Sequence, residues 1–446
     1  MKISIIGAGY VGLVTGLCLA EKKHDIICVD NNKTKVKKIN NGKTIIHEEG
    51  LDALLSRNLN INFRASSNLH RAVLKTDVTI IAVGTPFNGK SIDLTYVKNV
   101  SKSIGQALYH KKDYHLVVVK STVTPGTTDD IVLPIVEKYS KMKVGEKFGI
   151  GMNPEFLREG SAVKDFMNPD RIVIGSNDKF SAGVIKKIYK PFTKTEMLLT
   201  NNKTAEMIKY ANNTLLATLI SFSNEIGNLC ATQKNVDSLD VMKGVHLDNR
   251  ITPIINSKKI SPGIISYLSA GCGFGGSCFP KDLSAIISFG KKKKQKMQLL
   301  NAVQDVNQSQ PMKIIEILNR SYKNNLKEKN IAVLGLAFKE GTDDMRESPS
   351  IAIINKFIEY KANVIAYDPV AQMEAKKILE SKRIVYAKSI VSAVKSAEII
   401  VVLTAWPEFK NLHNIINNLQ LEPLIVDGRR FLNKKNFQKY IGIGIT

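Results

Sequence analysis

The sequence predicts an α/β fold: two Rossmann-like doubly wound domains joined by a long central helix and a helical middle domain. Three observations predict it. Short apolar runs alternate with helix-period segments over the first 200 or so residues, the pattern of a parallel sheet with crossover helices. From about Thr204 to Gln233 the chain reads as one long helix, with no proline and a single glycine, Gly227. Beyond a polar stretch at Asn324–Asn330 the strand–helix alternation resumes. The division expected is 1–200, 201–320 and 321–446.

Strands are expected at Lys2–Ile6, Asp25–Asp30, Val78–Val83, His115–Lys120 and Phe148–Met152. Helical pattern continues past the long helix to about Asp248 and returns at Met297–Arg320. A long mid-chain helix needs a partner for its apolar stripe, so it is read as a connecting and dimerising element. Later strands are expected at Ile331–Leu334, Val364–Asp368, Glu398–Thr404 and Leu424–Asp427.

Composition narrows the class. An apolar fraction of 43% is that of a globular protein. No apolar run approaches the ~20 residues that span a bilayer, and Lys2 opens directly into a strand with no leader-like segment before it. The expectation is a cytoplasmic protein without a membrane partner. The net charge of +24 invites a nucleic-acid reading. The lysines are spread along the chain, however, and no binding motif accompanies them, so no nucleic-acid partner is expected. The dense run Lys291–Lys294 with Lys296 reads as a solvated helix end. Five cysteines, an odd number without paired spacing, argue against a disulfide framework. Cys18, Cys28 and Cys230 sit in apolar contexts and read as core. No cluster suggests a metal.

Gly7-Ala8-Gly9-Tyr10-Val11-Gly12 follows the first strand and opens a helix. Gly7 permits the tight turn, Gly9 lets the backbone approach a pyrophosphate, and Gly12 allows close helix–strand packing. Asp30 ends the second strand, where an acid binds ribose hydroxyls and repels a 2′-phosphate. The expected cofactor is NAD, with Lys33 and Lys35 near that acid.

The stretch from Gly271 to Asp282 places four glycines in six positions and then Cys278, Pro280, Lys281 and Asp282. Pro280 suits the first turn of a helix. Cys278 would then stand at a helix N-terminus beside a lysine, both of which favour thiolate. Cys272 reads as buried and structural. Lys209 and Asn213 lie four apart on the long helix and share a face; Glu206 either joins them or serves a surface ion pair. Asn153–Gly160 places Glu155 and Glu159 in a loop after a strand, where α/β sheets bind ligands, and Lys120–Thr127 ends another strand with hydroxyls.

Ile331–Leu334 leads into Gly335-Leu336-Ala337-Phe338-Lys339, again strand, glycine turn and helix, without the three-glycine pattern. A mononucleotide or sugar nucleotide is the better fit. Thr342–Pro349 is dense in polar groups that either bind ligand or lock the domains together. Arg429, after another strand, can make forked contacts to an anion.

Taken together, these motifs resemble the UDP-glucose/GDP-mannose dehydrogenase family, in the family's order and over essentially the whole chain. The segments that carry the resemblance are Gly7–Gly12, Val83–Pro86, Lys120–Thr127, Asn153–Gly160, Lys209–Glu225, Gly271–Asp282, Gly335–Pro349, Thr404–Trp406 and Asp427–Arg429. Phe156–Ala162 and Pro169–Gly175 favour the branch that acts on UDP-glucose. The resemblance implies a four-electron oxidation of the sugar C6 alcohol to a carboxylate at the expense of two NAD. Cys278 would capture the aldehyde as a thiohemiacetal, and oxidation would give a thioester that water releases. Lys209 would stabilise oxyanions with help from Asn213, and Asp282 would serve proton transfer with Lys209 through a water. Thr122 would hold that water, and Glu155 would be the base for hydrolysis.

The resemblance further implies cofactor contacts from Gly7, Gly9, Tyr10, Val11, Gly12, Asp30, Lys35, Thr85, Pro86, Thr122, Glu159, Lys281 and Arg346. Substrate contacts would come from Glu155, Phe156, Leu157, Lys209, Asn213, Phe274, Gly275, Phe338, Lys339 and Arg429. Arg250 would reach a neighbouring subunit's site, which implies a homodimer or larger homo-oligomer. The chain departs from the family pattern at Glu49, Leu219, Cys272, Phe274 and Glu340, and none of these removes a catalytic group. Phe274, where tyrosine is frequent, lacks a hydroxyl for substrate. A sister activity on another sugar nucleotide is the nearest rival reading, and a non-catalytic NAD-binding protein is the rival from another class.

Overall fold

Apolar β-branched runs form buried strands, and the amphipathic segments between them form the covering helices. The computed structural model describes residues 1–445 and divides into two compact units, Met1–Asn212 and Asn213–Thr446. The division falls inside the helix Asn202–Cys230. The fold class is the α/β class expected.

In the first unit eight strands form one sheet: β1 (Lys2–Ile6), β2 (Asp25–Val29), β3 (Phe63–Ser66), β4 (Val78–Ile81), β5 (His115–Val119), β6 (Phe148–Met152), β7 (Arg171–Ser176) and β8 (Glu196–Thr200). Their order is β3-β2-β1-β4-β5-β6-β7-β8. All neighbours are parallel except β6 and β7. The first six strands follow the dinucleotide-binding order, and the chain reverses direction across the sheet between β1 and β4, where such folds bind ligands. The helix Tyr10–Glu21 is buried almost all round, because it lies between the sheet and the helices Leu51–Asn58 and Ala162–Met167.

The second unit holds a small hairpin, β9 (Ile254–Ile255) and β10 (Lys258–Lys259), and a six-stranded sheet. The latter comprises β11 (Asn330–Leu334), β12 (Asn363–Tyr367), β13 (Ile384–Tyr386), β14 (Ile399–Val402), β15 (Leu424–Asp427) and β16 (Tyr440–Gly442). Its order β13-β12-β11-β14-β15-β16, parallel throughout, repeats the Rossmann order of the first unit.

Several expected strands end one or two residues early. Asp30, Val83, Lys120, Asp368 and Thr404 lie beyond the last paired residue of their strands, because each turns out of the ladder at the sheet's carboxyl edge. The expected helix Met297–Arg320 is two helices, Gln298–Ser309 and Met312–Tyr322. Pro311 lies at the break, where it has no N–H to continue the ladder. The one glycine of the long helix, Gly227, has a packing reason: a Cβ there would lie 2.7 Å from that of Ala270.

Candidate active site

The glycine turn after β1 is built as its spacing requires. Gly7 has φ +108°, and a Cβ there would lie 2.5 Å from the Ala82 carbonyl oxygen; one on Gly12 would strike the Gly7 oxygen. Around Gly9, by contrast, nothing lies within 4 Å of an added Cβ. The turn is thus crowded where protein packs and open where a pyrophosphate would approach, which fits NAD. Asp30 accepts hydrogen bonds from the Ala8 N–H at 3.0 Å and the Asn32 N–H at 2.9 Å, tying the glycine turn to the end of β2. Lys35 lies in the first turn of the next helix, half-buried. After β4, Thr85 donates to the Thr122 carbonyl oxygen at 2.7 Å and joins two of the expected cofactor segments; Pro86 follows it.

Beyond β6, the Asn153–Gly160 loop carries Glu155, which is buried and paired with Lys209 at 2.8 Å. Burial works to raise the Glu155 pKa, but Lys209 and the Leu157 N–H outweigh it and hold the carboxyl below its usual range. Phe156 and Leu157 are half-buried; the Phe156 ring carries the Arg171 guanidinium 4.0 Å from its centroid. The loop is rooted by Lys120, whose buried ammonium donates to the Asn153 side chain at 2.9 Å and to the Tyr189 hydroxyl at 3.3 Å. Burial lowers the Lys120 pKa to about 8. A cavity of about 230 Å³ lies against this loop, lined by Lys120, Glu155, Phe156, Arg158, Arg171 and Tyr189 among others. Glu206 takes neither role expected of it. It is fully buried, and its carboxylate accepts from the Gly126 and Thr128 N–H groups, at 2.6 and 2.7 Å, at the start of the helical segment that follows β5. Helix periodicity placed it on a face with Lys209 but could not show that face covered.

In the second unit, Cys278 is the residue before the helix Phe279–Lys292, with Pro280 in that helix's first turn. The thiol is half-buried, 3.6 Å from the Ser277 hydroxyl. Helix-terminal N–H groups favour a thiolate at such a position. One turn on, Asp282 is buried; it accepts from Asn213 at 2.7 Å and pairs with Lys281. Cys272 is fully buried, and burial pushes its thiol up. Among the described residues no disulfide forms, and no cluster of His, Cys, Asp or Glu could hold a metal ion.

The glycines before Cys278 serve a purpose the sequence did not reveal. A Cβ on Gly275 would lie 2.2 Å from the Glu347 carbonyl oxygen, and one on Gly276 would lie 2.7 Å from the Phe338 ring. They admit the Phe338–Glu347 segment, and the Gly276 N–H donates to the Arg346 carbonyl at 2.8 Å. The polar Thr342–Pro349 stretch thus packs against the glycine loop of its own unit. The Phe274 ring is buried in an apolar cluster with Ala217, Leu283, Ile287 and Val303, so it supports the loop from behind. Three residues missed in the sequence hold the loop's backbone: Asn224 accepts from Gly271, Gln310 donates to Gly271, and Asn307 bonds both backbone groups of Phe274. Their signal was slight, polar residues inside helical pattern.

Arg429 donates to three carbonyl oxygens, those of Leu403, Gly273 and Phe338, at 2.7, 3.1 and 3.1 Å. It is thus a tie between loops; Lys339, next in the chain to one of its partners, is half-buried. The side chain of Arg346 pairs with Asp344. Arg250 is 89% exposed and pairs with Asp248. Asp368, at the position after β12 that Asp30 occupies after β2, accepts from the N–H groups of Leu336, Ala337, Val370 and Ala371 and from the Trp406 indole. The protein's own donors thus occupy the Asp368 carboxylate.

The comparisons with known proteins agree with these features. Residues 1–193 match the NAD binding domain of the UDP-glucose/GDP-mannose dehydrogenase family, 203–309 its central domain and 332–434 its UDP binding domain. The chain is 39% identical to UDP-glucose 6-dehydrogenase AglM of Haloferax volcanii, covering 99% of each. It is 39% identical to UDP-glucose 6-dehydrogenase TuaD of Bacillus subtilis over 98% of this chain and 91% of that one. A solved UDP-glucose dehydrogenase from the archaeon Pyrobaculum islandicum superposes with a TM-score of 0.90 at 36% identity, over 100% and 98% of the two chains. The UDP-N-acetyl-mannosamine dehydrogenase Cap5O of Staphylococcus aureus does so at 0.79 and 27%, over 100% and 98%. No helix among the described residues is long and apolar enough to cross a membrane. The chain is an NAD-dependent oxidoreductase that belongs to the UDP-glucose/GDP-mannose dehydrogenase family.

Proposed function

We propose that the chain oxidises UDP-glucose to UDP-glucuronate in two steps on one cysteine. The observation that carries the reading is Cys278 at a helix N-terminus with buried Asp282 one turn on, tied to Asn213. The Gly7–Gly12 turn would hold NAD, which would supply the hydride acceptor for both oxidations. The C6 alcohol loses a hydride and a proton to become an aldehyde. The Cys278 thiolate adds to the aldehyde carbon and forms a carbon–sulfur bond. Loss of a second hydride leaves a thioester. Water then breaks that bond, returning the thiol and releasing the carboxylate. The thiol is needed because it retains a reactive aldehyde between oxidations. Lys209 stabilises oxyanions, and Glu155 takes the proton of the attacking water.

The names of the curated relatives support UDP-glucose as substrate. A second reading, a UDP-N-acetylhexosamine, is favoured by the likeness to Cap5O, a UDP-N-acetyl-mannosamine dehydrogenase. We further infer three parts, 1–200, 201–320 and 321–446, a homodimer or larger homo-oligomer, and a cytoplasmic setting. The dimer rests on the long helix: Leu215, Phe222 and Leu229 recur along it and are at least half exposed.

NADH released from limiting UDP-glucose tests the activity. Two NADH per sugar with wild type, and no completed turnover with Cys278→Ser, is the expected result. Turnover only with another sugar nucleotide moves the substrate, and no turnover with any overturns the reading.

A further inference from the structure

The His47–Leu51 stretch stood out in the sequence only because Glu49 replaces an expected proline. The residue before it carries more. Glu48 lies in a loop yet is buried, 6% exposed. Its carboxylate accepts three hydrogen bonds from two distant segments. One oxygen takes the Tyr10 hydroxyl and the Gly160 N–H, the latter at 2.8 Å; the other takes the Ala162 N–H at 2.7 Å. The Gly160 N–H also reaches the Tyr10 oxygen at 3.1 Å. Tyr10 is the first residue of the helix that follows the Gly7–Gly9 turn. Gly160 and Ala162 close the loop that begins at Asn153 and carries Glu155 and Glu159.

We propose that Glu48 is a positioning residue that holds the cofactor turn and the Asn153–Gly160 loop in register through Tyr10 and Gly160. The inference rests on the NAD-dependent reading of those two segments. A buried carboxylate with three donors fixes all three, since losing any one leaves a polar group uncompensated. Its own loop is set by Gly50, whose φ of +80° starts the helix Leu51–Asn58. Glu48 would touch neither cofactor nor sugar. It would set how closely the first helix, with its glycine turn, stands to the loop that bears Glu155.

Glu48→Gln separates this role from mere packing. A glutamine keeps the volume and one acceptor, enough for the Ala162 N–H, but places an NH₂ donor against Gly160 and Tyr10. Tyr10→Phe removes the hydroxyl alone. The measurements are NADH affinity by fluorescence in the absence of sugar, kcat and KM for NAD, thermal midpoint, and the deuterium isotope effect with UDP-glucose labelled at C6. Glu48→Gln is expected to fold, to weaken NADH by about threefold or more, to lower kcat about tenfold, and to enlarge the isotope effect. The double variant is expected to be no worse than the worse single one, because both changes break one contact.

Wild-type NADH affinity and kcat in Glu48→Gln would overturn the proposal, as would additive effects in the double variant. If Glu48→Gln does not fold, Tyr10→Phe decides alone: unchanged NADH affinity and isotope effect sink the idea. NADH affinity is read without sugar, so failure of the substrate assignment in the wild type is told apart from failure of Glu48.

Discussion

The ammonium of Lys209 and the carboxylate of Glu155 lie 2.8 Å apart, and both side chains are buried. Removing one partner of such a pair leaves a buried charge and costs about 3–5 kcal/mol. Lys209→Met is therefore expected to lower stability by about 3 kcal/mol at neutral pH. In the wild type the Glu155 pKa is depressed, so its contribution is present above the ordinary carboxylate range and is lost as pH falls through the folded value. In the variant, burial is opposed only by the Leu157 N–H and Lys120, so the Glu155 pKa is expected to rise from its wild-type position. The deficit should then shrink as pH falls and Glu155 takes up a proton. Denaturant midpoints across pH 4 to 8, on the order of the ordinary carboxylate pKa and upward, check this.

Glu155→Gln keeps the shape of the carboxylate but cannot take a proton from water. On the proposed route the thioester then outlives the oxidations. With UDP-glucose and NAD the variant should show a burst of NADH with little turnover after it. Mass spectrometry should find an acyl adduct on the peptide bearing Cys278. A variant that turns over steadily with no adduct would remove Glu155 from the hydrolytic step.

His115, the first residue of β5, stands in a buried polar chain. Its ring nitrogens lie 2.7 Å from the Thr79 hydroxyl and 3.0 Å from the Thr76 carbonyl, and Ser4 continues the chain from Thr79. Burial, with Lys111 nearby, pushes its pKa down to about 3. The unfolded chain thus binds a proton that the folded one refuses. Stability from this residue is complete above the unfolded pKa of 6.5 and falls as pH drops towards 3, by up to about 1.4 kcal/mol per pH unit. His115→Gln should flatten the acid side of a melting-temperature profile.

Glu206 behaves in the opposite sense. Burial raises its pKa to about 7 despite the two N–H groups it accepts. Its protonated form is favoured in the fold, so its contribution weakens as pH rises from the ordinary carboxylate value of 4.5 through 7. Glu206→Gln is isosteric but leaves one N–H facing a donor, at a cost of about 1–3 kcal/mol. The loss should be greatest in acid, where wild-type Glu206 is protonated, and smaller above neutrality, by chemical denaturation at two pH values.

Phe222→Glu tests the dimer. A charge in the middle of the exposed apolar stripe should dissociate the protein to monomers in light scattering while leaving helix content unchanged by circular dichroism. Persistence of the wild-type mass would show that this stripe is not the interface.

The sequence disclosed those features whose cause is local. The Gly7–Gly12 turn, the long proline-free helix and Pro280 ahead of a helix all act within a few residues. The strand ends at Asp30 and Lys120 were misplaced because apolar pattern does not show where a ladder lets go. β8 went unnoticed because it is largely exposed. The capping by Glu206, the carbonyl contacts of Arg429 and the support from Asn224, Asn307 and Gln310 stayed hidden for another reason. Each joins residues dozens of positions apart, and a polar residue in helical pattern looks the same whether it faces water or a loop. Gly275 was expected to contact substrate, but spacing could not show that the Glu347 carbonyl and the Phe338 ring press against the glycine pair.

That close approach also constrains how the gene can drift. An alanine at 275 meets main-chain atoms that no rotamer change can move aside, and one at 276 meets an aromatic ring already packed. A first mutation at either codon is penalised whatever stands at the other. A replacement at 276 needs a smaller residue at 338 and must still bear a φ of +81°. Among descendants of this chain, a side chain at 276 and a large ring at 338 should exclude one another, a pairing that a lineage comparison can score without any assay.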